Sequence, residues 1–146
     1  MTRGQGLWWL EFTLTGKEAH TGSTPMKMRV NAGLAMSRIL EMVQTVAMDN
    51  QPNAVGGVGQ MFFSPNSRNV LPGHVTFTVD IRTVDQAKLD GMRARIEKEA
   101  AEICESLGVG CSVDAGGHFD PRAVDPKLHQ PIRTTAEDPG HVALQL

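Results

Sequence analysis

The chain has 146 residues, of which 40% are hydrophobic and 21% are charged, and its formal net charge is -2. This length and composition predict one soluble globular domain with a hydrophobic core of its own. Scattered basic residues and an aromatic content of only 5% argue against a nucleic-acid-binding protein, which needs a basic patch or stacking aromatic side chains.

The cysteines and the apolar segments bear on the cellular setting. Cys104 and Cys111 are the two cysteines, and neither has a second cysteine at metal-ligand spacing. No stretch approaches the ~20 apolar residues of a membrane span, and no signal peptide is visible at the N-terminus. We therefore expect a reduced, cytoplasmic protein that binds neither membrane nor nucleic acid.

The first predicted elements are a strand, a loop and a long helix. Alternating apolar and polar residues predict a strand over residues 7–15, and the loop of residues 16–24 carries His20. A Ser-Thr pair can cap a helix with Pro25 in its first turn, and helical spacing carries this helix to about Met48. Its predicted core stripe consists of Met28, Ala32, Ala35, Ile39, Val43 and Val46.

Two features of this half favour association with another subunit. Leu34, Leu40 and Met42 lie off the core stripe, and a helix that is apolar on two sides needs a second partner. The next predicted strand, residues 54–63, contains three glycines, which in a strand often mark a bulge or an edge.

The second half of the chain repeats the strand and helix pattern. Residues 75–82 are the clearest strand, because four apolar residues alternate there with polar ones. Asp85 can cap a second helix, which Gly108 ends. Residues 109–113 form a short last strand, and from Gly116 on the pattern breaks into a turn.

The order of predicted elements is β-α-β-β-α-β, which is the order of ferredoxin-like domains. Right-handed crossovers then give a four-stranded antiparallel sheet with both helices on one face, an α/β (α+β) sandwich. The opposite, polar face of the sheet and its loops are left for function.

Three polar residues near strand ends form the candidate site. His20 could donate a hydrogen bond to an oxyanion, the Asn69 amide suits a carboxylate or carbamoyl group, and Arg82 suits a carboxylate. Each also has a plainer explanation: a solvated loop histidine, a turn-forming asparagine, or a surface ion pair of Arg82 with Asp80. Together they could form a binding site for a small anionic substrate, with no metal-ligand pattern or activated nucleophile beside them.

Three sequence blocks resemble a known family, the hydantoinase/carbamoylase family of metal-dependent amidohydrolases within the M20 peptidase group. This family includes N-carbamoyl-L-amino-acid hydrolases, β-ureidopropionases and allantoate amidohydrolases. The resemblance covers about residues 4–121. The blocks are residues 9–16 with AHTGSTPM at 19–26 and Arg29, PNSRNVLPG at 65–73, and FTVDIR at 77–82.

The resemblance implies a division of labour between two domains. In the family, a catalytic domain binds two divalent metal ions (zinc, manganese or cobalt), and a smaller lid domain forms the dimer interface and closes over the substrate. This chain resembles the lid. Residues 1–118 are then the lid/dimerisation domain, and residues 119–146 are a return segment toward a catalytic domain, in which residues 126–137 could form a short helix.

The resemblance also implies an activity and roles for the site residues. The parent enzyme would be a homodimer that hydrolyses a carbamoyl or ureido C–N bond, above all in N-carbamoyl-L-amino acids. His20 would stabilise the oxyanion, often at the neighbouring subunit's active site, while Asn69 and Arg82 would bind the substrate carboxylate.

The family's metal-ligand and general-base blocks have no counterpart in these 146 residues. We therefore expect the chain alone to bind no metal and to be inactive, as an excised or truncated lid. Two alternatives remain open at this level. One is a stand-alone, non-catalytic dimerisation module of ferredoxin-like fold, and the other is a small-ligand sensor domain, which rests on fold analogy only.

Overall fold

The computed structural model describes residues 3–125. A short 3-10 helix at Met26–Met28 precedes the first α-helix. The other elements, in chain order, are β1 (Arg3–Gly4), β2 (Gly6–Thr15), β3 (Ala19–His20), α1 (Ala32–Asp49), β4 (Ala54–Ser64), β5 (Val70–Leu71), β6 (His74–Thr83), α2 (Gln86–Leu107), β7 (Gly110–Phe119) and β8 (Arg122–Ala123).

The four long strands form one antiparallel sheet in the order β4-β6-β2-β7. Helices α1 and α2 contact each other and pack against this sheet. The predicted ferredoxin-like α+β fold is therefore confirmed. Two short ribbons extend it, one formed by β1 with β8 and the other by β3 with β5.

The core lies between the sheet and the two helices. Alternate residues of β2 and β6 are buried, as the period-2 pattern predicts, and Phe12 stacks on Phe77 with ring centroids 5.0 Å apart. Each large apolar side chain buried in this way contributes about 1.5–3 kcal/mol of transfer free energy. The helices contribute Ala32, Ala35, Ile39, Val43 and Val46 from α1 and Leu89, Met92, Ile96, Ala100 and Cys104 from α2.

Both predicted ends of α2 are confirmed. The Asp85 side chain accepts a hydrogen bond from the backbone N–H of Lys88 at 3.0 Å, which caps the first turn. Gly108 follows the last turn with φ 66°, in the left-handed region that glycine adopts without steric cost.

The predicted start of the first helix is wrong. The helix begins at Ala32 rather than near Pro25, and the preceding residues form only one 3-10 turn. Met28, predicted to belong to the core stripe, is 68% exposed. Met42, predicted to lie on a second apolar face, is buried in the core.

Tertiary contacts hold the segment before α1 out of the helix. The Val30 carbonyl accepts a hydrogen bond from the Lys17 N–H at 2.8 Å, and the Asn31 side chain caps the helix by accepting from the Leu34 N–H at 3.1 Å. Gly16 permits this approach, because a Cβ at that position would lie 2.5 Å from the Val30 carbonyl oxygen.

Both edge strands contain an irregularity. In β4 the register shifts between Val58 and Met61. The glycine-rich strand therefore carries a bulge and also lies at an edge of the sheet, and both predictions are confirmed. The last strand is longer than predicted, since β7 continues to Phe119. Trp9 pairs with Gly117, and the next residue of β2, Leu10, pairs with Ala115. The break at Gly116 is therefore a β-bulge and not the end of the strand.

The ends of the described segment meet in the ribbon of β1 and β8, where Arg3 pairs with Ala123. The division of the chain after residue 118 stays a prediction. The helix predicted within residues 126–137 lies outside the described residues. Within residues 3–125, no helix has both the length and the apolar character needed to cross a membrane.

Candidate functional site

The ribbon of β3 and β5 brings two of the three candidate residues together. His20 pairs with Val70 in this ribbon, and the Thr21 N–H donates to the Asn69 carbonyl at 2.8 Å. As a result His20 Nε2 lies 3.4 Å from Asn69 Nδ2, although 49 residues separate them in the chain. Both side chains are exposed.

The hydrogen bonds of His20 define the tautomer of its ring. Nδ1 accepts from the backbone N–H groups of Gly22 at 3.1 Å and Ser23 at 3.2 Å. A ring nitrogen that accepts carries no proton, so in the neutral imidazole the proton is on Nε2. Nε2 is therefore a hydrogen-bond donor on the outer side of the turn.

The Asn69 side chain adds a second donor beside this one. Its Oδ1 accepts a hydrogen bond from Ser67 Oγ at 3.0 Å, which directs the NH₂ group toward His20. Two donor groups cannot bond to each other, so each remains available to an acceptor from outside the pair. Two such groups around one position are the arrangement that binds a carboxylate or an oxyanion.

Arg82 lies on the open face of β6 and is bound to Asp80. Its Nε donates to Oδ1 and Oδ2 of Asp80 at 3.0 and 3.1 Å, and its Nη2 donates to Oδ2 at 2.6 Å. The two side chains are 41% and 38% exposed. Arg82 therefore combines a fixed orientation with access to solvent.

The ion pair shifts both ionisations. Partial burial disfavours the Asp80 carboxylate, but hydrogen bonds from Arg82 and Trp9 and the Arg82 charge outweigh it, so the pKa of Asp80 lies below its ordinary value. The hydrogen bond to Asp80 and its charge raise the pKa of Arg82. Each group therefore stays charged over a wider pH range than it would without the other.

Within one chain, Arg82 is far from the pair of His20 and Asn69. Thr15, just before the His20 loop, pairs with His74 at one end of β6, while Arg82 pairs with Leu7 at the other end. Eight residues of antiparallel strand span roughly 27 Å. The predicted site thus consists of two separate groups within one chain.

The described residues do not fit the two-metal centre that the resemblance implies. In residues 3–125, no three His, Cys, Asp or Glu side chains lie together in a way that could hold a metal ion. The thiols offer no nucleophile either. Burial raises the pKa of Cys104 to about 12 and also raises the pKa of Cys111.

Sequence reasoning missed the role of one residue at the site. Arg29 donates three hydrogen bonds to the carbonyls of Thr21 and Thr24, the turn that carries the His20 ring. The sequence shows Arg29 only as part of the block that resembles the family. Its partners are backbone atoms, which leave no mark on residue types, so a single sequence carries no signal for them.

Comparison with known proteins assigns the domain. A family model described as the peptidase dimerisation domain of the M20 group matches residues 3–107. The chain belongs to this family. Over all 146 residues this dimerisation domain is 76% identical to the N-carbamoyl-L-amino-acid amidohydrolase of Rhizobium meliloti, of which it covers 35%. It is 32% identical to the allantoate amidohydrolase of Escherichia coli (strain K12) over 116 residues, which are 80% of the chain and 28% of that protein.

Solved structures agree with this assignment. The domain superposes on a hydantoinase/carbamoylase family amidase from Burkholderia multivorans with a TM-score of 0.94 and 39% identity, covering 99% of the chain and 35% of that protein. A second such amidase, from Burkholderia vietnamiensis, gives a TM-score of 0.91 and 37% identity, covering 99% of the chain and 35% of that protein. The resemblance to the dimerisation domain of this family is thereby confirmed, and the chain spans about a third of its relatives' length.

Proposed function

We propose that this dimerisation domain serves an enzyme that hydrolyses the carbamoyl C–N bond of N-carbamoyl-L-amino acids. The pair of donors at His20 Nε2 and Asn69 Nδ2, 3.4 Å apart, carries the proposal because neighbouring donors can each bind a different oxygen of one small anionic substrate. The 76% identity to an N-carbamoyl-L-amino-acid amidohydrolase favours carbamoyl amino acids over other substrates of the family.

Each residue then has a role at the substrate. His20 donates from Nε2 to the oxygen that becomes negative as the carbamoyl carbon turns tetrahedral. Asn69 donates to the substrate carboxylate, and Arg82 binds the same carboxylate with the guanidinium edge that Asp80 leaves open. The Asp80 ion pair supports this last role, because it orients Arg82 while the side chain stays 41% exposed.

The separation of Arg82 from the other two residues supports a site that two subunits share. A substrate of amino-acid size cannot span the roughly 27 Å of strand between the two groups in one chain. A homodimer solves this if one subunit supplies His20 and Asn69 while the other supplies Arg82. The substrate then lies between two copies of the domain.

The apolar surface available for this dimer on α1 is smaller than the sequence predicts. Because Met42 is buried, the outer face of α1 presents Leu34 and Met48, which are 40% and 59% exposed. The neighbouring strand β4 is an edge strand, whose outer edge leaves backbone groups free to pair. We propose that α1 and β4 meet their counterparts in the partner.

The remaining partners are outside this domain. The two divalent metal ions that the family resemblance implies would be held by other residues of the enzyme, since the described residues offer no ligand group. Free thiols at Cys104 and Cys111 favour a cytoplasmic enzyme.

A chimera tests the proposed function. This chain would replace the matching segment of the Rhizobium meliloti amidohydrolase, to which all 146 residues of the chain align. We expect the chimera to hydrolyse N-carbamoyl-L-amino acids. A folded chimera that binds its metals but has no activity would contradict the proposal and favour the non-catalytic dimerisation module.

Mixed dimers test the shared site. One chimera would carry His20→Ala with Asn69→Ala, the other Arg82→Ala, and both would be expressed together. If the groups come from different subunits, half of the randomly paired dimers are mixed, and each mixed dimer has one intact site of two. The mixture should then show about a quarter of the wild-type activity at low substrate concentration. If one subunit supplies all three residues, mixing restores nothing.

A further inference from the structure

Arg29 lies against the turn that carries His20 and binds its backbone. Nη2 donates to the carbonyl of Thr21 at 2.6 Å and to that of Thr24 at 2.8 Å, and Nε donates to Thr24 at 3.0 Å. Hydrogen bonds from a guanidinium are stronger than those between neutral groups. The partly buried side chain therefore holds both ends of the turn.

The same turn holds the imidazole. The N–H groups of Gly22 and Ser23, which bond to His20 Nδ1, lie between the two carbonyls that Arg29 fixes. The Thr24 N–H donates to the His20 carbonyl at 3.1 Å and closes the turn. Arg29, the turn and the imidazole thus form one hydrogen-bonded unit.

We propose that Arg29 is a positioning residue for His20. By fixing the turn, it keeps the amides of Gly22 and Ser23 on Nδ1, so that the proton stays on Nε2 and points out beside Asn69. The effect on catalysis rests on the proposed function, whereas the effect on the turn does not.

The location of Arg29 separates this role from a general contribution to folding. All three bonds reach carbonyls within eight residues along the chain. The core cluster contains no residue of the segment 21–29. Helix α1, the next element, has its own cap at Asn31. Removing the guanidinium therefore loosens the turn and leaves the core in place.

Amide hydrogen exchange, followed by NMR on the 146-residue chain, tests the structural half. In Arg29→Gln we expect the amides of Gly22 and Ser23 to exchange about tenfold faster or more, with the amides of β6 unchanged. Arg29→Lys should give exchange rates between those of Arg29→Gln and the unmodified chain, because one ammonium group cannot make all the hydrogen bonds of the planar guanidinium. Arg95→Gln is the matched control, since Arg95 pairs with Glu99 and Asp49 on the helices and should leave the turn unchanged.

Kinetics of the same variants in the chimera test the functional half. We expect Arg29→Gln to lower kcat about tenfold or more at a nearly unchanged KM, because His20 acts mainly in the transition state. Arg29→Lys should recover part of kcat, and Arg95→Gln should match the unmodified chimera.

The two halves can fail separately. Unchanged exchange at Gly22 and Ser23, or equally faster exchange throughout β6, would overturn the positioning role. If the turn loosens as expected but His20→Ala leaves kcat unchanged, the role in the turn is supported and the proposed function is overturned. If the turn loosens and kcat is lost, both are supported.

Discussion

The two ends of the sheet hold their polar side chains by different physical means. At the end with the β3–β5 ribbon, His20 and Asn69 are hydrogen-bond donors whose directions are set by backbone N–H groups and a serine hydroxyl. At the other end, Arg82 is a charge that a second charge, Asp80, holds in place. The first group therefore depends on the geometry of a turn, and the second depends on ionisation and screening.

The largest expected effect separates the two groups by kinetics. In the chimera, His20→Ala should lower kcat about 10²- to 10³-fold, because it removes a donor to the oxyanion. Arg82→Ala should mainly raise KM, because it removes a ground-state grip on the carboxylate. His74→Ala, at an exposed histidine on β6, is the control. Equal changes in kcat and KM for both variants would remove the distinction.

The dimer surface should matter next, because the proposed shared site needs two subunits. Met48→Glu on the outer face of α1 places a charge where an apolar contact is proposed, and should weaken the dimer about tenfold or more. Sedimentation of the 146-residue chain measures this. Glu102→Gln, at an exposed position of α2 outside the proposed surface, is the control. A chain that stays dimeric after Met48→Glu does not dimerise through this face.

A glycine at the turn sharpens the comparison. A Cβ at position 22 would lie 3.3 Å from His20 Cε1, so Gly22→Ala should displace the ring and lower kcat about tenfold. The matched change at Gly57, beside Asp80 on the open face, has free space around it and should leave kcat as it is. Similar losses for both substitutions would show that the sheet, and not the turn, is sensitive.

The smallest expected effect concerns Asp80. Its pKa is lowered in the folded state, so the ion pair stabilises the fold above the unfolded value of about 3.9, and this increment is lost as pH falls through the folded pKa. Since both side chains are more than a third exposed, the increment should be under about 1 kcal/mol.

Asp80→Asn should remove this pH-dependent increment and raise KM severalfold through a less ordered Arg82. Urea unfolding between pH 3 and 7 measures the first effect. A variant whose stability keeps the pH dependence of the unmodified chain would show that the pair contributes nothing.

The parts of the fold that sequence reasoning predicts are those with local signals. The alternation of β6 and the caps of α2 at Asp85 and Gly108 depend on neighbouring residues, and all three are confirmed. The predicted start of α1 is wrong because the contacts that determine it are not local in the sequence. Thr24 and Pro25 look like a helix start, but the bonds of Arg29 to the turn and the contact of Val30 with Lys17 exist only in the folded chain.

The same distinction applies to the site. All three residues were proposed from the sequence, but the pairing of His20 with Asn69 depends on a ribbon between distant segments. The separation of Arg82 was available from the sequence, because the predicted strand of residues 75–82 already puts it at the opposite end from the Asn69 loop. What no pattern of residue types could reveal is the tautomer of His20, which two backbone amides determine.

The bulges in β4 and β7 limit how far this domain can polymerise. Both are edge strands, and each carries one extra residue near its middle, between Val58 and Met61 in one and at Gly116 in the other. A bulge interrupts the regular row of donors and acceptors that a further strand would need along its whole length. Regular strand addition at either edge is therefore limited to a short stretch, and a continuous sheet of many copies would be interrupted at each edge.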